Sequence, residues 1–118
     1  MKTITLIVRH TEIGRFFPDG AQIVLDDNAS ALDAVKAMAE KIKKTFGKFP
    51  VKGFESLLQM VYHPHECRVY KQVAIQAYTR SKPFINVRNN LKMSLPNDTT
   101  LILIPQGGCT TDWEEPIK

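Results

Sequence analysis

Thr99-Thr100-Leu101-Ile102-Leu103-Ile104, residues 99–104, sets four aliphatic side chains in a row behind two threonines. β-branched residues are favoured in extended backbone. An alternating strand buries one face. An unbroken apolar run is the pattern of a strand covered on both faces, at the centre of a sheet. Pro96-Asn97-Asp98 just before it is a turn former, and Pro105 just after it cannot donate to a ladder. The run therefore reads as a central strand with a marked start and end.

Working outward, Thr3-Ile4-Thr5-Leu6-Ile7-Val8-Arg9 is a second strand candidate, rich in β-branched types. Gly14, Pro18, Asp19 and Gly20 lie in the stretch 12–20 and predict a turn. Ala21-Gln22-Ile23-Val24-Leu25 predicts the returning strand of a hairpin. In Asp26-Asp27-Asn28-Ala29-Ser30 the side chains can accept from the free amides that open a helix, with Ser30 as the N-cap. Asp33 falls in the first turn, where negative charge is favoured. Leu32, Val35, Ala39, Ile42 and Phe46 recur at steps of three and four and form one apolar stripe. Gly47 is a natural stop, with Pro50 beyond it.

Residues 48–66 carry a weaker pattern. Phe54, Leu57, Leu58 and Val61 have helical spacing and predict a short second helix, ended by His63-Pro64-His65. The alternation over 68–76 predicts a third strand, and Phe84-Ile85-Asn86-Val87 a short one. Leu91, Met93 and Leu95 alternate before the final turn. The order hairpin, helix, strands belongs to the α+β class, with a helix packed on one face of the sheet.

Composition bounds the functional classes. The chain has 118 residues, 43% hydrophobic and 24% charged, which suits one domain with one core. No apolar stretch approaches a membrane span. The N-terminus lacks the long apolar run and small-residue cleavage site of a secretory signal. A cytoplasmic protein is expected, with no membrane partner. Cys67 and Cys109 are too few for a disulfide framework and are expected as free thiols. The net charge is +4. After Gly108 three acids face one lysine, a net −2, which leaves +6 on the preceding residues. This asymmetry suggests an acidic partner surface or simple solubility.

Candidate sites follow from residue types. Lys36, Lys41, Lys43, Lys44 and Lys48 make a basic helix face. With Arg68, Lys71, Arg80, Lys82 and Arg88, and with Tyr70, Tyr78 and Phe84 interleaved, they could meet nucleic acid. They show no RNA-binding signature, and a solvated helix face accounts for them better. His63, His65 and Cys67 are metal-ligand types in one short segment. Their spacing matches no standard zinc module and no fourth ligand lies nearby, so a polar loop is expected and no bound metal. Trp113 sits between Asp112 and Glu114. It can dock on a partner or pack back on the domain, and both stay open. No nucleophile–base pair or carboxylate pair stands out, so an enzyme is not expected.

The stretch from Ser94 to Gly108, SLPNDTTLILIPQGG, resembles the end of the sulfur-carrier proteins of molybdopterin and thiamine biosynthesis. In that family a polar turn leads into an apolar strand and then a short extended tail ending in Gly-Gly. The resemblance covers residues 94–108 in sequence, and most of 1–47 and 67–108 in arrangement. It implies a β-grasp (ubiquitin-like) domain over 1–108, a mixed sheet with one main helix packed across it. Residues 48–66 would be an insertion carrying the short helix. It also implies a function: an activating enzyme would use ATP to adenylate the Gly108 carboxylate, and sulfur would then replace the adenylate. Gly107 would give the access that a missing Cβ allows. The expected partners are that activating enzyme, a sulfur donor or acceptor enzyme and a trimming protease, with no cofactor bound. The family ends at the second glycine, whereas this chain runs on from Cys109 to Lys118. Residues 109–118 would then be a removable tail and Cys109 the processing junction. With no basic group beside it in sequence, Cys109 otherwise reads as an ordinary exposed thiol. The competing expectation is a non-catalytic β-grasp interaction module or a subunit of a larger enzyme complex.

Overall fold

The computed structural model describes residues 1–50, 54–63, 68–71 and 73–105. Strand β1 spans Lys2–Val8 and β2 spans Ala21–Leu25, antiparallel and in register with Ile4 opposite Ile23. Helix α2 spans Ala31–Phe46, β5 spans Val73–Tyr78 and β6 spans Thr100–Pro105. The sheet order is β2-β1-β6-β5. β6 runs parallel to β1, with Leu6 opposite Leu101, and antiparallel to β5, with Ala77 opposite Leu101. The result is an α+β domain with a mixed sheet and a helix packed across one face, an arrangement compatible with the β-grasp.

The expected central strand is central. Leu101, Ile102 and Leu103 are all buried in succession. Leu101 and Leu103 turn to the core that α2 covers, while Ile102 belongs to the opposite face and is still only 6% exposed. The turn before β6 is fastened to the start of β1. Thr3 N–H donates to Asn97 Oδ1 at 2.9 Å, and Asp98 N–H donates to Thr3 O at 2.9 Å. Asp98 takes the left-handed conformation, φ 64°, which Asp tolerates better than most residues.

Helix α2 begins and ends where its local chemistry dictates. Ser30 Oγ accepts from Asp33 N–H at 3.2 Å, and Asp33 Oδ2 accepts from Ser30 N–H at 3.0 Å, a reciprocal capping box. Gly47 closes the helix in the left-handed region, φ 78°. Leu32, Val35 and Ile42 of the expected stripe are buried. The buried face is rotated from the one expected, because Ala31, Ala34 and Met38 join the core while Ala39 and Phe46 are only half-buried. Phe46 packs edge-on against Phe16, with ring centroids 4.6 Å apart.

Three local expectations are corrected. The stretch 12–20 is not a plain turn, because a single helical turn, α1 (Thr11–Gly14), lies in it and drives Ile13 fully into the core. Gly20 then closes the connection at φ +82°. A Cβ there would stand 2.6 Å from Leu6 O and from Ile7 Cγ1, so only glycine fits without movement. The strand expected over 68–76 is broken. A two-residue strand β4 (Arg68–Val69) pairs with β3 (Tyr62–His63), while β5 joins the main sheet. The cause is Val69 and Tyr70, adjacent and both buried, which no continuous alternation permits. Residues 84–87 form no strand. Ile85 and Val87 are buried at alternate positions, but the segment makes one bond to β5, Ile85 N–H to Ala77 O at 2.9 Å. The expected short helix is present as α3 (Leu57–Val61). It is capped by Ser56, buried through Leu57, Met60 and Val61, and packed on α2.

One core residue is a cation. Lys2 is 4% exposed, on the inward phase of β1 with Ile4, Leu6 and Val8. Its Nζ donates to Leu95 O at 2.6 Å, Ala29 O at 2.7 Å, Asp27 O at 2.9 Å and Ser94 Oγ at 3.3 Å. A buried charge is tolerated only when it is fully hydrogen-bonded, and the loop before α2 and the loop before β6 supply the oxygens. Among the described residues no helix is long and apolar enough to cross a membrane.

Lys2→Met leaves the Leu95 carbonyl without its donor and the Ala29 carbonyl with only the long bond from Leu95 N–H, 3.4 Å. It should destabilise the protein by at least about 2 kcal/mol in urea unfolding, and Lys2→Arg should not restore it because a planar fork cannot replace a point ammonium there. Loss of the capping box through Ser30→Ala should cost about 1 kcal/mol. The Ser30 backbone N–H, with smaller help from its hydroxyl and from Lys36, holds the Asp33 carboxyl below its ordinary range. Its contribution is therefore full above the unfolded-state carboxylate pKa and fades as pH falls through the lower folded-state value. The stability gap between the native chain and Asp33→Asn, measured by urea titration across acid pH, should shrink on that descent.

Candidate functional site: the exit of the last strand

The residues singled out at the C-terminus, Gly107, Gly108 and Cys109, lie outside the described residues, as does the tail 109–118. The strand that leads to them is described in full. β6 is gripped on both sides up to Leu103, where Val8 is its last parallel partner and Arg9 N–H donates to Leu103 O at 2.9 Å. Beyond that point β1 has ended and only β5 continues, with Ala74 opposite Ile104 and Val73 opposite Pro105. β6 thus overhangs its parallel neighbour by two residues.

Basic side chains flank this exit. Arg9 is exposed on the β1 side, and exposed Lys71 precedes Val73 on the β5 side. Arg88 is also near. Its guanidinium donates to Tyr70 O at 3.2 Å and to Val73 O, so it fixes the backbone that pairs with Pro105.

The other candidates separate. Lys36, Lys41, Lys43, Lys44 and Lys48 are all exposed. Arg88 and half-buried Arg68, whose guanidinium donates to Val69 O at 3.0 Å, are bound to the domain's own backbone. Tyr70 is buried, whereas Tyr78 and Phe84 are exposed. Of the residues weighed as a nucleic-acid surface, the helix lysines are thus exposed, while Arg68, Arg88 and Tyr70 are held within the domain. His63 is 4% exposed, and its ring lies against Tyr70 at a centroid distance of 5.4 Å. His65 and Cys67 lie outside the described residues. Among the described residues no cluster of three His, Cys, Asp or Glu side chains could hold a metal ion.

The strand read from the sequence starts at Thr3 and omits Lys2. The signal was present: extending the alternation of Ile4, Leu6 and Val8 back by two places Lys2 on the buried face. Sequence reading also missed Arg9, which comes beside β6 only through the pairing of β1 with that strand. Comparison of the chain with protein-family models, with curated proteins and with solved structures finds no match.

Proposed function

We propose that this protein is a β-grasp carrier, acted on at the Gly108 carboxylate once residues 109–118 have been removed. The observation that carries the reading is the path of β6. The strand lies inside a mixed sheet in β2-β1-β6-β5 order and ends at Pro105, and Gln106-Gly107-Gly108 follow it in the sequence. A rigid strand of this kind aims a short chain end at a partner's active site. Glycines without Cβ atoms allow that end to enter a narrow channel.

The chemistry then belongs to the partner. An activating enzyme binds ATP, and the Gly108 carboxylate attacks the α-phosphorus and expels pyrophosphate. Hydrosulfide supplied by a donor enzyme attacks the acyl carbon, displaces AMP with loss of a proton and leaves a thiocarboxylate, which an acceptor consumes. The carrier binds no cofactor and is itself the substrate. Arg9 and Lys71 would meet acidic groups on the activating enzyme, or the phosphates at its mouth. A trimming protease would cut between Gly108 and Cys109. Protein conjugation through the same activated carboxylate is the related outcome. A second reading, a non-catalytic interaction module or a subunit of a larger enzyme complex, is favoured by one observation, the edge of β2, which nothing covers among the described residues.

A chain shortened to end at Gly108, incubated with ATP and an extract of its native cells, should become heavier by exchange of one oxygen for sulfur, or joined to another protein. Gly108→Val in the shortened chain should abolish either change. A shortened chain whose mass stays the same with and without ATP contradicts the proposal.

A further inference from the structure

The two edges of the sheet are finished differently. On β5, Ala77 O accepts from Ile85 N–H at 2.9 Å and Val73 O accepts from the Arg88 guanidinium, so the segment beyond the strand occupies that edge. The β2 edge has no such cover among the described residues. Its free groups can be assigned from the register. Thr5 N–H donates to Thr99 O, and Thr3 O accepts from Asp98 N–H, so these residues of β1 spend their backbone groups on the β6 side. Lys2, Ile4 and Leu6 then face β2 and bond to Leu25, Ile23 and Ala21. Gln22 and Val24 point their N–H and C=O groups outward.

Edge strands are usually blunted by lysine, proline or a bulge. Ala21–Leu25 has neither residue, and its five register pairs run without a break. Val24 is 59% exposed. Beside the edge runs a groove of about 410 Å³ lined by Gln22, Ile23, Val24, Ala37, Glu40, Lys41 and Lys44. Ile23 and Ala37 give it apolar walls. Two lysines against one glutamate make it basic, and among the described residues neither lysine forms a salt bridge.

We propose that this edge and groove bind an extended acidic–apolar peptide of another protein, added to the sheet as a fifth strand beside β2. Directly paired residues share a face, so the peptide residue opposite Ile23 points to the α2 side, over Ala37. Alternate apolar residues fill the groove, and flanking carboxylates meet Lys41 and Lys44. Main-chain bonds supply the affinity and the side chains the selectivity. A second copy of this chain fits less well, because two-fold pairing of β2 with β2 sets both pairs of lysines side by side. The site does not involve Gly108 and stands whether or not the carrier reading holds.

The test is an NMR titration of the isotope-labelled full-length protein with the synthetic peptide Asp-Glu-Val-Thr-Val-Thr-Val-Asp-Glu. The amides of Gln22 and Val24 should shift and gain protection from hydrogen exchange, with accompanying shifts at Ala37, Lys41 and Lys44. Charge reversal by Lys41→Glu with Lys44→Glu, in a protein whose spectrum stays folded, should weaken binding roughly tenfold. Proline in place of both threonines should abolish it by removing donors. The proposal is overturned if Gln22 and Val24 do not respond at millimolar peptide, or if the lysine variant binds equally well. It is also overturned if those two amides are already protected without peptide, since the edge is then occupied by this chain or by its second copy.

Discussion

The parallel pairing of β1 with β6 is the constraint on which the rest of the structure depends. Parallel neighbours cannot be joined by a tight turn, so the chain between Arg9 and Thr99, which supplies β2 and β5 to the same sheet, must cross over and return in register. The return is set by a few bonds at one end of the pair. Asn97 and Asp98 fasten to the backbone of Thr3, and the Lys2 ammonium gathers the carbonyls of Asp27, Ala29 and Leu95. Lys2 thereby ties the entry to α2 and the entry to β6 to the same strand. A shift of one residue in β6 would exchange Leu101 and Leu103 for Ile102 on the core face.

This arrangement makes the far end of β6 a fixed point. The strand is held by β1 to Leu103 and by β5 to Pro105, and β5 is itself braced through Arg88. The same topology leaves β2 as the outer strand beside α2. The domain thus presents two distinct features, the end of β6 beside Arg9 and an edge beside Lys41 and Lys44 that nothing covers among the described residues.

What could be read in the sequence was what depends on near neighbours. The Ser30–Asp33 box and Gly47 bound α2 within a few residues, so its limits were legible. β6 was legible because four aliphatic residues and a proline leave few alternatives. The strand over 68–76 was misread because the exchange of partner after Val69 depends on Val61, whose carbonyl accepts from Tyr70 N–H. Residues 84–87 alternate like a strand because Ile85 and Val87 are buried, but their backbone follows the sheet edge without laddering. Lys2 was left out because the strand was read from Thr3. Of the candidate site, Gly107 and Gly108 were visible as a motif, whereas Arg9 comes beside β6 only through pairing across the sheet.

The most direct measurement is the intact mass of the protein purified from its native cells. The account predicts a species ending at Gly108, part of it carrying sulfur in place of one carboxylate oxygen. A protein present only with Cys109 to Lys118 still attached, under conditions in which it is at work, would contradict it.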